Sequence, residues 1–528
     1  MKSNWIKYVF VIFIILILVF AVFKIKKDEY RKKQEQSYEQ NNQEIKTREI
    51  KLAIAQLDTI NPILSKNKNV QDVTKLIFEP LVGLTSDYKA EPILAKEWAK
   101  QSDNSYLIKL RENVRWSNGQ RFTAEDVRFT IDRLKDTASI YSVNVQNVTE
   151  VQIVDDYTIK IKLDKEIPFF EYNLTFPILS KTFYEGKEFT DMEVNKKTIG
   201  SGMFKISEIK DSYIILEKNT YWWNKEKDIK LDKININLYS SIGELYNAFK
   251  IGNIDLIATT NMNVHEYIGT IGYNQKEIKG RQHNYIALNF NNELIAKQEV
   301  RKALSYAIDK ENIVSSVCNN NCFTSSFPLD YGNWLAKEQN ASSGYNVEQV
   351  KPTLEKNGWI YRSGKWQKTE NYKTKTLSLN MLVRDNDIGQ VKVAENIREQ
   401  LKIVGIYLNI VKVPEDQYRN KLANREYDMA MCSITLSPSP NLETFLGANN
   451  LSNYNNEEVN NILAEVRNTN DEKVLKSKYQ RLIEIYKSDI PCISLYNNKY
   501  IVAYSNELVG EVTPNWFNQY YGIESWYK

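Results

Sequence analysis

Residues 81–134, LVGLTSDYKAEPILAKEWAKQSDNSYLIKLRENVRWSNGQRFTAEDVRFTIDRL, decide how this chain is read. Tyr106, Ile108 and Leu110 alternate with Leu107 and Lys109, the two-residue period of a strand. Val114 to Trp116 make a second short β-like piece. It runs into Ser117-Asn118-Gly119-Gln120, where the Asn-Gly pair signals a turn. Thr123 and Asp126 have the spacing of a capping box, and they open a helix with Val127, Ile131 and Leu134 on one face. By itself this pattern specifies a soluble α+β unit.

Outward from that stretch, length and composition set bounds. A chain of 528 residues exceeds one hydrophobic core and implies two or three domains. Its 33 Tyr and 10 Trp suit a peptide or carbohydrate cleft, although most such rings simply pack. Basic and acidic groups number 70 and 66, a balance that excludes a polyanion binder, so no nucleic-acid partner is expected. With only His265 and His283 available, no zinc site is expected either. Four cysteines are too few for a disulfide scaffold. Cys318 and Cys322 either close a small loop outside the cytoplasm or stay as thiols, and the same choice holds for Cys432 with Cys492.

Tyr8 to Phe23 is an apolar run of 16 residues that reads as an uncleaved transmembrane anchor. Lys24, Lys26, Lys27, Arg31, Lys32 and Lys33 follow it, which by the positive-inside rule argues for a cytoplasmic body. Residues 28–48 carry almost no apolar content and read as a charged tether, reaching about 70 Å at roughly 3.3 Å per residue. Beyond it, Ile50, Leu52 and Ile54 alternate as a strand. Val151 to Leu163 read as a hairpin turning at Asp155-Asp156, an acidic pair better explained by the turn than by catalysis. Gly200-Ser201-Gly202 precedes a strand, Phe204 to Ile209, rather than the helix a phosphate loop requires. Val300, Ala303, Leu304, Ala307 and Ile308 form one apolar helical face. Farther on, Leu377, Leu379 and Met381 read as a strand. Val391, Ala394, Ile397, Leu401 and Val404 read as a helix stopped at Gly405, and Ile406, Leu408 and Ile410 as the next strand. This is a right-handed βαβ unit of a parallel sheet. Tyr427 to Cys432 and Pro491 to Tyr496 add strands.

Three pieces of the opening stretch carry a resemblance: residues 92–98 (PILAKEW), 110–119 (LRENVRWSNG) and 122–127 (FTAEDV). In order and spacing they resemble the signature of the family 5 solute-binding proteins, the oligopeptide, dipeptide and nickel receptors of bacterial ABC importers. Gly200-Ser201-Gly202-Met203-Phe204, Tyr221-Trp222-Trp223 and residues 300–309 (VRKALSYAID) continue the resemblance, which covers 49–528. It implies an α/β, two-lobed periplasmic-binding-protein-like fold (type II, the large cluster with an extra subdomain) hinged by two crossing segments, here combined with an N-terminal transmembrane helix. On this reading 1–7 is a short cytoplasmic N-terminus, 8–23 the anchor and 24–48 the tether. Residues 49–280 plus 499–528 form lobe I, with an extra subdomain at about 89–197, and 281–498 form lobe II. The crossings fall near 279–285 and 497–502. The resemblance and the long translocated body place the globular part outside the cytoplasm, and no cysteine follows the apolar run to carry the lipid usual in Gram-positive members.

The implied mechanism is hinge closure over a solute that touches both lobes, read by an ABC permease in the membrane. A peptide or peptide-like solute is expected, with the protein acting as a monomer that needs no cofactor. Members of this family often hold a peptide ammonium with an aspartate soon after the strand matching Asp428 to Cys432. This chain has Ser433-Ile434-Thr435-Leu436-Ser437-Pro438 there, with no carboxylate before Glu443. Met431, Cys432, Ser433, Ile434 and Thr435 are therefore the candidate pocket floor, faced by Thr259, Thr260 and Asn261 from lobe I. Asn67 and Asn69 follow the first strand and complete the candidate ligand set. No P-loop or GxSxG elbow occurs, and His265-Glu266 lacks the second histidine of HExxH, so no enzyme is expected. Two other readings compete: a peptide sensor that signals to a membrane partner other than a permease, and an anchored hydrolase.

Overall fold

Tyr106, Ile108 and Leu110 are buried on the strand Ser105–Leu110, which pairs with Ala95–Lys100 on one side and Thr158–Leu163 on the other. The computed structural model describes residues 48–259, 272–336 and 344–528. The capping box forms: Thr123 N donates to Asp126 Oδ2 at 2.9 Å and opens the helix Ala124–Asp136, which buries Val127, Ile131 and Leu134. Gly119 has φ +86°, the left-handed conformation its turn requires. Val114 to Trp116 contribute only a single bridge, Arg115 to Arg121, because the chain turns back at once. Asp155 ends the strand Val148–Asp155, and its side chain accepts from Tyr157 N at 2.8 Å. Asp156 O accepts from Ala124 N, so the acidic pair builds a turn.

A second sheet runs Glu49–Ala55, Lys233–Tyr239, Tyr213–Lys218, Phe204–Ile209, its first pair parallel and the others antiparallel. Gly200 packs against the Ile77 carbonyl, where an added Cβ would stand 1.9 Å from the oxygen, and Gly202 N donates to the same carbonyl at 2.8 Å. The glycines thus permit close backbone approach and have no phosphate role.

The third sheet has seven strands. Ser378–Arg384 and Tyr407–Val413 are parallel, joined by the helix Ile388–Ile403, which Gly405 (φ +76°) follows. Met429–Thr435 joins Ser378–Arg384 to Tyr273–Leu288, and the last of these pairs with Cys492–Ser505. The strand read from 491 to 496 therefore continues to Ser505. These two long antiparallel strands run through both halves of the molecule. Ile278, Tyr500, Val502 and Tyr504 belong to the core built on the Glu49–Ala55 sheet. Ile286, Leu288, Ile493 and Leu495 belong to the core around the βαβ unit. Between the halves the ladder breaks: Lys279 faces Lys499 and His283 faces Asn497, so three residues oppose one. Such a bulge bends a strand pair and leaves backbone groups unladdered.

The halves also touch away from these strands. Trp334 N donates to Asp87 O at 2.9 Å, Trp334 Nε1 donates to Tyr172 OH at 3.1 Å, and Lys89 pairs with Glu472. The expected anchor at 8–23 and most of the tether lie outside the described residues. Among the described residues no helix is long and apolar enough to cross a membrane.

Candidate ligand-binding site

The helix Lys68–Thr74 ends beside a cavity of about 860 Å³. Gln71, Thr74 and Lys75 form one wall, followed by Phe78 and Glu79. Ile93, Arg111, Tyr141 and Met203 add a second wall, and Trp222 and Trp223 a third. The C-terminal segment closes it with Phe517, Tyr520 and Tyr521, and Pro438 is the lining residue that comes from the second half. The volume falls within the range of small-ligand sites, and the lining, apolar with a few polar groups, has their usual character.

Glu79 is the carboxylate the walls hold most firmly. Its Oε1 accepts from Trp222 Nε1 at 2.8 Å and its Oε2 from Trp223 Nε1 at 3.0 Å. Its backbone N donates to Ser201 Oγ at 3.3 Å, which ties the residue to the Gly-Ser-Gly loop. Removal from bulk water pushes its carboxyl up to about 7 despite those donors. What surface it keeps faces the cavity. Arg111 stands near, but its Nε donates to Ile93 O, and its guanidinium lies 4.3 Å over the Trp223 ring. Lys75 pairs with Asp72 at 2.9 Å and Lys227 with Glu524.

The residues singled out from sequence lie elsewhere. Asn67 caps the Lys68–Thr74 helix, accepting from Asn69 N at 2.9 Å and donating to Ala55 O at 2.7 Å. The cavity begins one turn later, at Gln71. Met431 and Cys432 are buried in the seven-stranded sheet. Ser433 Oγ accepts from Gln282 Nε2 at 2.6 Å and Thr435 Oγ1 donates to Gln282 Oε1 at 2.9 Å, so both serve the bulge of the first crossing strand. Ile434 packs on the adjoining core, and Thr259 pairs with the Tyr246 hydroxyl. None of these eight lines the cavity, whereas Pro438, three residues past Thr435, does. Thr260 and Asn261 lie outside the described residues. Cys318 and Cys322 are free thiols that share a hydrogen bond, and Cys432 and Cys492 are free and buried. Glu79, Trp222 and Trp223 went unassigned because a strand-period reading gives no hint that residues far apart in the chain converge on one carboxylate.

The fold and the cavity define a class, the two-lobed α/β solute receptors. The chain belongs to the bacterial extracellular solute-binding proteins, family 5, whose middle region matches residues 89–456. It is 25% identical over 468 residues to the dipeptide-binding protein DppE of Bacillus subtilis (strain 168), covering 80% of this chain and 81% of that protein. It is also 25% identical over 505 residues to the oligopeptide-binding protein AppA of the same organism, covering 90% of each. Among solved structures, HbpA2 from Haemophilus parasuis superposes with a TM-score of 0.74 at 21% identity, covering 90% of this chain and 99% of that one.

Proposed function

We propose that this protein captures a peptide-like solute outside the cytoplasm and delivers it to an ABC permease, held at the membrane by an anchor at 8–23. The solute occupies the cavity beside Glu79 and is enclosed as the lobes turn about the crossing strands, with boundaries near 280 and 499. The observation that carries this reading is the three-against-one break at Lys279/His283 in the only strand pair, among the described residues, that threads both cores. A ligand bridging the lobes binds the closed arrangement better, and that differential affinity sets how far the population moves. Relatives that bind dipeptides and oligopeptides support the solute class. No group of three or more metal-ligating side chains stands together among the described residues, which favours an organic solute over a bare metal ion.

Native mass spectrometry of gently purified protein tests the reading directly. A retained peptide mass is expected, together with a raised melting temperature in a short-peptide pool, since a ligand of the folded state adds RT ln(1 + [L]/Kd). A shift with nickel or haem and none with peptides refutes the peptide assignment.

A further inference from the structure

A carboxylate removed from bulk water normally has a cationic partner, because an unpaired buried charge is costly. Glu79 has none in direct contact: among the described residues no lysine or arginine forms an ion pair with it, and Arg111 acts on it only from a distance. The cavity's cations are committed elsewhere, Lys225 among them, whose Nζ donates to Thr220 O at 2.9 Å. Lys75 and Lys227 hold Asp72 and Glu524, and Arg111 holds backbone carbonyls and the Trp223 ring. The two indole N–H groups fix both oxygens in place, the Ser201 hydroxyl is a third neighbour, and one of the four acceptor directions of the carboxylate is left for a ligand. The side chain is therefore aimed and rigid, and it faces a space large enough for a ligand.

We propose that Glu79 is the counter-ion for a primary ammonium of the bound solute, with Trp222 and Trp223 holding the carboxylate in position. This deepens the solute-capture reading and rests on it. The ammonium would enter from the lobe I wall, and the segment after Thr435, which offers no carboxylate before Glu443, would not be asked to supply one. Two sources share this chemistry, a peptide amino terminus and a lysine side chain.

The test measures binding to the full chain at pH 8 by calorimetry, using three pools of di- to pentapeptides. The first has uncharged side chains and free amino termini. The second is the same pool N-acetylated, and the third is N-acetylated but contains lysine. A charged hydrogen bond of this kind corresponds to about a ten- to hundredfold difference in affinity. The first pool, the third, or both should bind more tightly than the second by that factor, and Glu79→Gln should remove the difference. Glutamine resembles the protonated carboxyl and keeps one indole contact. The wild-type comparison among pools needs no variant at all. Equal binding of all three pools to the wild type overturns the proposal and leaves solute capture standing. Failure of every pool to bind sinks the capture reading itself.

Discussion

Asp330→Ala should destabilise the protein far more than its surface counterparts, because Arg281, buried where the crossing strands break, would lose the one counter-ion it has among the described residues. Arg281 lies in the break of the first crossing strand, and its Nε donates to Asp330 Oδ1 at 2.8 Å. The two side chains are 4% and 2% exposed. The guanidinium also donates to Leu436 O and lies 4.4 Å over the Phe517 ring, a wall of the cavity. Removing one partner of such a pair leaves a buried charge unmatched and costs about 3–5 kcal/mol. At about 2–4 °C per kcal/mol for a lobe of this size, the thermal transition should fall by about 6–20 °C. Arg281→Met combined with Asp330→Leu removes both charges and should lie close to wild type. Lys89→Ala, which breaks the exposed pair with Glu472, should cost at most about 1 kcal/mol. Scanning calorimetry of the four proteins decides the matter. A single variant within about 2 °C of wild type, or a double variant as unstable as the single, refutes the claim that the pair is desolvated.

Gly200→Ala should destabilise by about 1–3 kcal/mol or more, read by the same calorimetry, since its Cβ would overlap the Ile77 carbonyl and no side-chain rotation relieves a backbone contact. Thiol labelling should be ordered. Cys318, whose thiol is lowered by the hydrogen bond from Cys322, reacts first with iodoacetamide, while Cys492, pushed up to about 12 by burial, reacts only on unfolding, as peptide mass spectrometry would show. Unliganded stability should fall as pH rises from about 4.5 to about 7 through the Glu79 contribution. With a native value near 7, folded Glu79 binds more protons across that window than the unfolded chain does, so the advantage is complete below it and lost above. Glu171, also raised by burial to about 7, carries the same sign, and His283, lowered to about 4, the opposite, so the wild-type minus Glu79→Gln difference in urea stability isolates the residue. An ammonium-bearing ligand should bind more tightly as pH rises through the same range.

The elements legible in the sequence were those whose partners are close in the chain. The capping box at Thr123, the hairpin at Asp155 and the helix before Gly405 each rest on contacts spanning a few residues, and periodicity reports such contacts faithfully. The strand Cys492–Ser505 shows in the sequence only as 491–496, because residues 497–505 mix Asn, Lys and Tyr with apolar positions. Their burial depends on pairing with residues more than two hundred positions away. The site was harder still. Asn67 looked like a ligand group because it follows the first strand, but the same position is where the next helix needs a cap. Ser433 and Thr435 looked like a pocket floor, but Gln282 in the bulge claims both side chains. A polar residue announces that it needs a hydrogen bond; only the fold says whether protein or ligand supplies it.

That same accounting ties the hinge to the cavity. The break in the crossing strands leaves backbone groups that the ladder does not serve, and two asparagine side chains and one backbone N–H take them up. Asn498 Oδ1 accepts from Gln282 N at 2.9 Å, Asn497 Nδ2 donates to Gly280 O at 3.2 Å, and Leu436 N donates to Arg281 O at 2.9 Å. Side-chain bonds can rotate with a bending strand where a regular ladder would have to break. Leu436 lies two residues before Pro438, and Arg281 reaches Phe517, so two cavity walls are fastened to the bending point itself. On the proposed capture reading, a solute pressing on those walls would act on the break through a few bonded contacts rather than through the bulk of either half.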